Sequence, residues 1–167
     1  MAVLDISKLS RVIFSRLMVN TGLCRMNLTL KDVMRCAQLD AKRYGKGYIF
    51  HPGFLVVLSY RLRRLRKYGN SLYSLLLPVD MCLGFMRRIL TDTVIPSCVP
   101  IGGGLYLPHP NGIIINHMVV IGSQVAIFQQ VTLGEWQGKA PRIYDNTSIF
   151  GGAKVFGGIV VGENCKI

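Results

Sequence analysis

From Ile95 onward every sixth position carries an aliphatic side chain. The series runs Ile95, Ile101, Leu107, Ile113, Val119, Val125, Val131, then Ile143, Ile149, Val155, Val161 and Ile167, with one interruption at Gln137. A helical stripe drifts off such a count, and strand alternation alone fixes a period of two rather than six. A hexad held this long predicts short strands joined by corners, three hexads closing one coil and successive coils stacking into a parallel β-helix. One coil cannot bury its anchors by itself, so the repeat is stable only as a stack. Small residues stand four positions after an anchor at Ser123, Thr147, Ala153 and Cys165, where the chain must turn a corner. Around Gln137 the stretch 134–141 is polar, bounded by Gly and Pro, and holds the chain's one Trp. It reads as a loop extruded from the coil, and a loop leaving a rigid scaffold is a common place for function.

The pattern before Asp92 is different. Leu30, Val33, Ala37 and Ala41 recur at helical spacing opposite Lys31, Arg35, Lys42 and Arg43. This predicts a helix over 29–43, capped by Asn27 or Thr29 and stopped by Gly45 and Gly47. A second helix opens at His51-Pro52-Gly53, carries the stripe Phe54, Leu58, Leu62 and Leu65, and ends at Gly69-Asn70. Arg61, Arg63, Arg64, Arg66 and Lys67 crowd its C-terminal end. They form either a solvated basic face or a membrane-surface patch, in which each cation near an anionic leaflet contributes roughly 1 kcal/mol. Residues 72–86 are strongly apolar, but Pro78 and Asp80 interrupt them and Arg87-Arg88 closes them. A membrane span needs about 20 apolar residues, so a buried or monotopic helix pair is expected instead.

Composition sharpens this division. The chain has 167 residues, 50% of them hydrophobic and 17% charged, which excludes intrinsic disorder. Its net charge of +12 is lopsided: residues 1–92 hold sixteen basic and five acidic side chains, residues 93–167 four and three. Glycine runs the other way, with twelve of 18 after position 92. A basic helical region over 1–92 and a β-helix domain over 93–167 are therefore expected. No recognition helix, finger or aromatic RNA-binding string accompanies the charge, so nucleic acid is not the expected partner. The five cysteines are scattered with no CxxC, which argues against a disulfide framework or zinc site and fits a reducing compartment. The N-terminus, with Asp5, Lys8 and Arg11, lacks the apolar core of a signal peptide.

Two strings carry chemistry. His109-Pro110-Asn111-Gly112-Ile113 and the run from Val125 to Gly134, with Gln129, Val131, Thr132 and Leu133 inside it, together resemble the serine acetyltransferase branch of the hexapeptide transferases, and stand at that family's spacing. The resemblance covers about 95–167 and extends loosely to the helical part. It implies a mainly β fold, a left-handed parallel β-helix behind an α-helical N-terminal region. It also implies a homotrimer with active sites between subunits, acetyl-CoA as co-substrate, and no metal. His109 would be the general base that takes a proton from an acceptor hydroxyl, a task suited to imidazole near neutral pH. His117 stands in no such motif and reads as a coil-surface residue, and His51 as a helix start. Pro108, Asn111, Lys139 and Asp92 are the candidates for holding the acceptor. Gly134, Gly152, Ala153, Lys154 and Lys166 are the candidates for holding the coenzyme, the glycines because they permit close backbone approach.

The departures from the family bear on the acceptor. The serine enzymes have an Asp just before the base, where this chain has Pro108. They have Arg-His-Pro on the loop, where it has Lys139-Ala140-Pro141. They have a base-orienting carboxylate fifteen residues upstream, where it has Val94, with Asp92 the nearest acid. Without those charges the expected acceptor is a sugar or polysaccharide hydroxyl, as in capsular and exopolysaccharide O-acetyltransferases. Serine itself and a non-catalytic hexapeptide scaffold are the alternatives. The expected place is the cytoplasm, peripheral to the inner face of the membrane. The chain stops at an anchor position within a coil, so the β-helix is expected to be incomplete at its C-terminal end.

Overall fold

The computed structural model describes residues 28–167; Asn27, Cys24 and the N-terminal stretch read for targeting signals lie outside them. Helix α1 spans Leu30–Tyr44, α2 Pro52–Tyr68 and α3 Leu77–Leu90, with 3-10 turns at Tyr48–Phe50 and Ser71–Leu76. Thr29 and Asp32 form a reciprocal capping box at the start of α1. His51 caps α2 through its ring, Nδ1 accepting from the Gly53 amide at 3.1 Å, with Pro52 at the first helical position.

Eight short strands follow: β1 (Ile114–Ile115), β2 (Val120–Ile121), β3 (Ala126–Ile127), β4 (Thr132–Gly134), β5 (Arg142–Ile143), β6 (Ser148–Ile149), β7 (Lys154–Phe156) and β8 (Val160–Val161). They pair in parallel as β1-β4-β7, β2-β5-β8 and β3-β6, which are the three faces of a coil. Bridges from Val94, Ile101 and Tyr106 to Ile114, Ile121 and Ala126 add a first coil below them, and Ser148 to Lys166 adds the last rung. Four corners are non-glycine residues in the left-handed region, Gln124, Gln130, Asn146 and Asn164, with φ of 58 or 59°. Asn is among the residues that tolerate this conformation best.

The register corrects the single hexad series. On one face Ile101, Ile121, Ile143 and Val161 stack, separated by 20, 22 and 18 residues. On another, Ile115, Leu133 and Val155 stack, and on the third Ile127 meets Ile149. Ile113, Val119, Val125 and Val131 are buried too, but each stands two residues before the strand position that carries the stack. Leu107 to Ile115 takes eight residues and Leu133 to Ile143 takes ten, where the plain repeat takes six. The two insertions together make up one hexad, so the sixfold count returns to phase at Ile143. Ile167 is 44% exposed.

The helices cover the first coil and share its core: Val56, Val57 and Tyr60 of α2 pack with Ile95, Ile101 and Leu107. Among the described residues no rung lies beneath the first coil, so its outward carbonyls need other donors. Arg61 donates to the carbonyls of Ile101 (2.8 Å) and Gly102 (2.5 Å), Arg63 to Ile95, Arg64 to Ser97, Cys98 and Val99, and the Tyr60 hydroxyl to Val99. Buried Asp40 of α1 pairs with Arg61 at 2.9 Å and accepts the Gly104 and Leu105 amides at 2.7 and 2.8 Å. Burial works against the Arg61 charge, and Asp40 more than offsets it, so its pKa is raised. Arg66 pairs with Asp80, and Lys67 stands over the Tyr68 ring. The basic run on α2 is therefore neither a solvated stripe nor a membrane patch: most of its cations dock the helix onto the coil.

Of the two alternatives expected over 72–86, a buried or a monotopic helix pair, the buried one is corrected. Leu72, Leu75, Met81, Phe85 and Ile89 are each more than 60% exposed. The coil offers its carbonyls and apolar groups to α2, and α3 packs against α2 and the Ser71–Leu76 turn. Among the described residues no helix is long and apolar enough to cross a membrane.

Candidate active site

His109 sits on the first of the two insertions, at the corner between the Leu107 face and β1. It is exposed, and its carbonyl accepts the Asn111 amide at 2.8 Å, which closes a tight turn. The corner is fixed from both sides. The Gln130 amide donates to the Asn111 carbonyl at 2.8 Å from the coil above, and the Thr93 hydroxyl donates to the Pro110 carbonyl from the coil below. Pro108 is half-buried and offers no charge. Val94, at the place where the resemblance puts a base-orienting carboxylate, pairs with Ile114 and is half exposed. Among the described residues nothing hydrogen-bonds the His109 ring.

The same edge continues upward. Above the His109 corner come Gln129-Gln130, and above them Gly151-Gly152, whose Gly152 amide donates to the Gln129 carbonyl at 3.0 Å. With coils about 4.8 Å apart, His109 and Gly152 stand roughly 10 Å apart along this edge. Gly152 has φ +83° and open space where a side chain would project. Lys154, one step along β7, folds back onto the edge: its ammonium donates to the Gln130 carbonyl at 2.8 Å and the Thr132 hydroxyl at 2.9 Å. Ala153 is half-buried against the core. Lys166 lies exposed on the last rung beside Ser148. Gly134 is different: a Cβ there would fall 2.2 Å from the Phe156 ring, so the space over it is already filled. The edge thus brings His109, Asn111, Gly152 and Lys154 into one column and leaves Gly134 beneath an aromatic ring.

The second insertion is not an extruded loop. Trp136 and Lys139 exchange backbone hydrogen bonds at 2.8 and 3.1 Å around a Gln137-Gly138 turn, a two-residue hairpin with positive φ at both turn positions. It lies down on the coil above it, where Gly157 and Gly158 make room for Trp136 and Lys139. Gln137 interrupts the aliphatic series because it is the turn residue. Lys139 is exposed and Ala140 is half-buried.

Asp92 is exposed and stands apart from the edge column, in a cleft of about 550 Å³ below the His109 corner. Arg63, Arg87, Arg88 and Thr93 line the same cleft. From the sequence Arg63 belongs to either a solvated basic face or a membrane-surface patch, and Arg87-Arg88 closes an apolar run. The clustering of basic residues near both helix ends was the available signal, and only the α2–α3 packing brings them together. Gln129 and Gln130 were read as motif letters; their part is to build the edge between His109 and Gly152.

Chemically, the corner presents an accessible imidazole on an edge that carries backbone and amide groups. Such a base can take a proton from a hydroxyl brought within hydrogen-bond reach. Among the described residues no group of three or more His, Cys, Asp or Glu is arranged to hold a metal.

No protein-family model matches the chain. A serine acetyltransferase of Synechococcus elongatus is 33% identical over 122 residues, covering 70% of this chain and 48% of that protein. A serine acetyltransferase of Helicobacter pylori is 32% identical over 123 residues, covering 71% of this chain and 69% of that protein. A serine acetyltransferase solved in complex with CoA matches the fold with a TM-score of 0.66 at 24% identity, over 82% of this chain and 60% of that one. The chain therefore spans about half of the Synechococcus protein's length and about seven tenths of the Helicobacter protein's.

Proposed function

The chain belongs to the serine acetyltransferase-like family of hexapeptide-repeat acyltransferases, and from that premise we propose that it is an acetyl-CoA-dependent O-acetyltransferase with His109 as general base. The observation that carries the reading is the exposed His109 on a corner built by an insertion, at the foot of an edge that offers Gly152 and Lys154 two coils above. The imidazole takes the acceptor's proton as its oxygen attacks the thioester carbonyl. The C–S bond then breaks, and the proton returns from the imidazole to the departing coenzyme sulfur. Asn111 faces the acceptor and Lys139 stands over the neighbouring coil; Gly152, Ala153, Lys154 and Lys166 mark the edge along which the coenzyme lies.

The relatives are serine acetyltransferases, so serine is the acceptor they support, ahead of the saccharide expected from the sequence. A saccharide remains a second reading on one observation: Pro108, the residue before the base, offers no charged group. A left-handed β-helix over 93–167, assembled as a trimer, belongs to the same proposal. So does a cytoplasmic place at a membrane face, where exposed Met81, Phe85 and Ile89 with Arg88 would make the contact that α2 does not. A coenzyme-release assay with acetyl-CoA and a panel of serine and candidate oligosaccharides tests the acceptor. Turnover with serine and none with saccharides is the expected result; the reverse would overturn the acceptor while leaving acetyl transfer standing.

A further inference from the structure

The cleft between α2, the end of α3 and residues 91–96 holds more positive charge than the structure uses. Arg63 comes from α2, and Arg87 and Arg88 from the last turn of α3. Arg63 donates to the Ser59 and Ile95 carbonyls, and Arg87 donates to the Thr93 carbonyl at 2.5 Å. The Arg87 Nε is buried with no hydrogen-bond partner, and the exposed Arg88 has none among the described residues. Asp92 is the acid lining the cleft; Asp80, behind Arg63, is paired with Arg66 at 3.0 Å and keeps one oxygen unpartnered. Burial first, and then the nearby Arg87 charge, lower the pKa of Arg63, with Asp80 opposing. Three guanidinium groups against one lining carboxylate leave a surplus that a bound anion would neutralise. The carbonyls at the C-terminus of α3 help to hold the cations together without one.

We propose that this cleft binds an anionic group, carboxylate or phosphate, carried by the molecule that presents its hydroxyl to His109. The planar forks of three arginines suit either group, since guanidinium matches both in bidentate geometry. Its volume of about 550 Å³ leaves room for a ligand larger than a bare ion. Position supports the link: Thr93 lines the cleft and its hydroxyl holds the carbonyl of Pro110, the residue next to His109. The link to the acceptor rests on the O-acetyltransferase reading, whereas anion binding stands apart from it.

The test is calorimetric titration of the full chain at low ionic strength, with inorganic phosphate in one arm and acetate in the other. Saturable binding of at least one is expected, the tighter arm naming the anion. Arg88→Glu and Arg87→Gln should each weaken it at least tenfold, and Arg35→Gln on α1 should leave it unchanged. Arg88 is exposed, so its variant keeps the fold even where Arg87→Gln, which breaks the Thr93 contact, does not; circular dichroism checks both. Binding in neither arm, or undiminished binding in folded Arg88→Glu, would overturn the proposal. Arg88-sensitive binding in a protein that transfers no acetyl group would instead remove the function and leave the anion site.

Discussion

Asp40 and Arg61 set how the helices meet the coil. Each is buried, and each satisfies backbone groups of the first coil as well as the other. Removing one partner of a buried pair strands the other charge, at a cost of about 3–5 kcal/mol. Asp40→Ala is therefore expected to lose about that much in urea unfolding, and more than Asp145→Ala, whose carboxylate is half exposed and holds the Ser123 amide. Gly53 makes the companion point without charge. A Cβ there would meet the Leu107 carbonyl oxygen at 1.9 Å, so Gly53→Ala should push α2 off the coil and lower the unfolding midpoint. Neither role was legible in the sequence. Asp40 was one acid in a basic helix, and Gly53 a helix-opening residue, because Asp40 acts through Arg61 on another helix and the distant amides of Gly104 and Leu105, and Gly53 through the distant Leu107 carbonyl. The string around His109 could be singled out in the sequence because its motif is local and its corner is made by the residues beside it.

The strands were legible as a rhythm but not as a register. The sixfold count found the buried positions, because inward anchors and the corner residues two places before them are both aliphatic. It could not tell the two sets apart, and the insertions at 108–112 and 134–142 compensate each other in the count. Read by pairing, the inward stack on one face is Ile101, Ile121, Ile143 and Val161. Ile121→Ala removes a side chain with contacts above and below, and should cost about 2–5 kcal/mol through lost burial and the cavity left. The exposed Ile114, outside the stack on the neighbouring strand, should cost far less when changed to Ala in the monomer. The hairpin at 134–142 shows the limit of composition: a polar Gly/Pro stretch reads as a loop, and only Gly157 and Gly158 on the next coil reveal that it packs down. The basic run of α2 misled for the same reason, since its arginines look solvated until the unpaired carbonyls of the first coil are placed opposite them.

At the scale of the whole molecule, the coil exposes Ile114, Phe150, Phe156, Ile159 and Val160 on its outer faces. Burying such faces around a threefold axis is the assembly proposed here, and closed cyclic symmetry satisfies a repeated interface. Light scattering should give about three times the 18.6 kDa chain mass, and a stable species at that single mass would exclude the trimer. The central proposal is one proton transfer at His109, and one measurement addresses it directly. Steady-state coenzyme release from acetyl-CoA, with serine as acceptor, is compared between the unaltered protein and His109→Ala. Loss of a positioned acid–base group lowers turnover by about 10²–10⁴-fold. That drop is expected for His109→Ala, with circular dichroism unchanged and His117→Ala close to the unaltered rate. Full turnover in a folded His109→Ala protein would contradict the account.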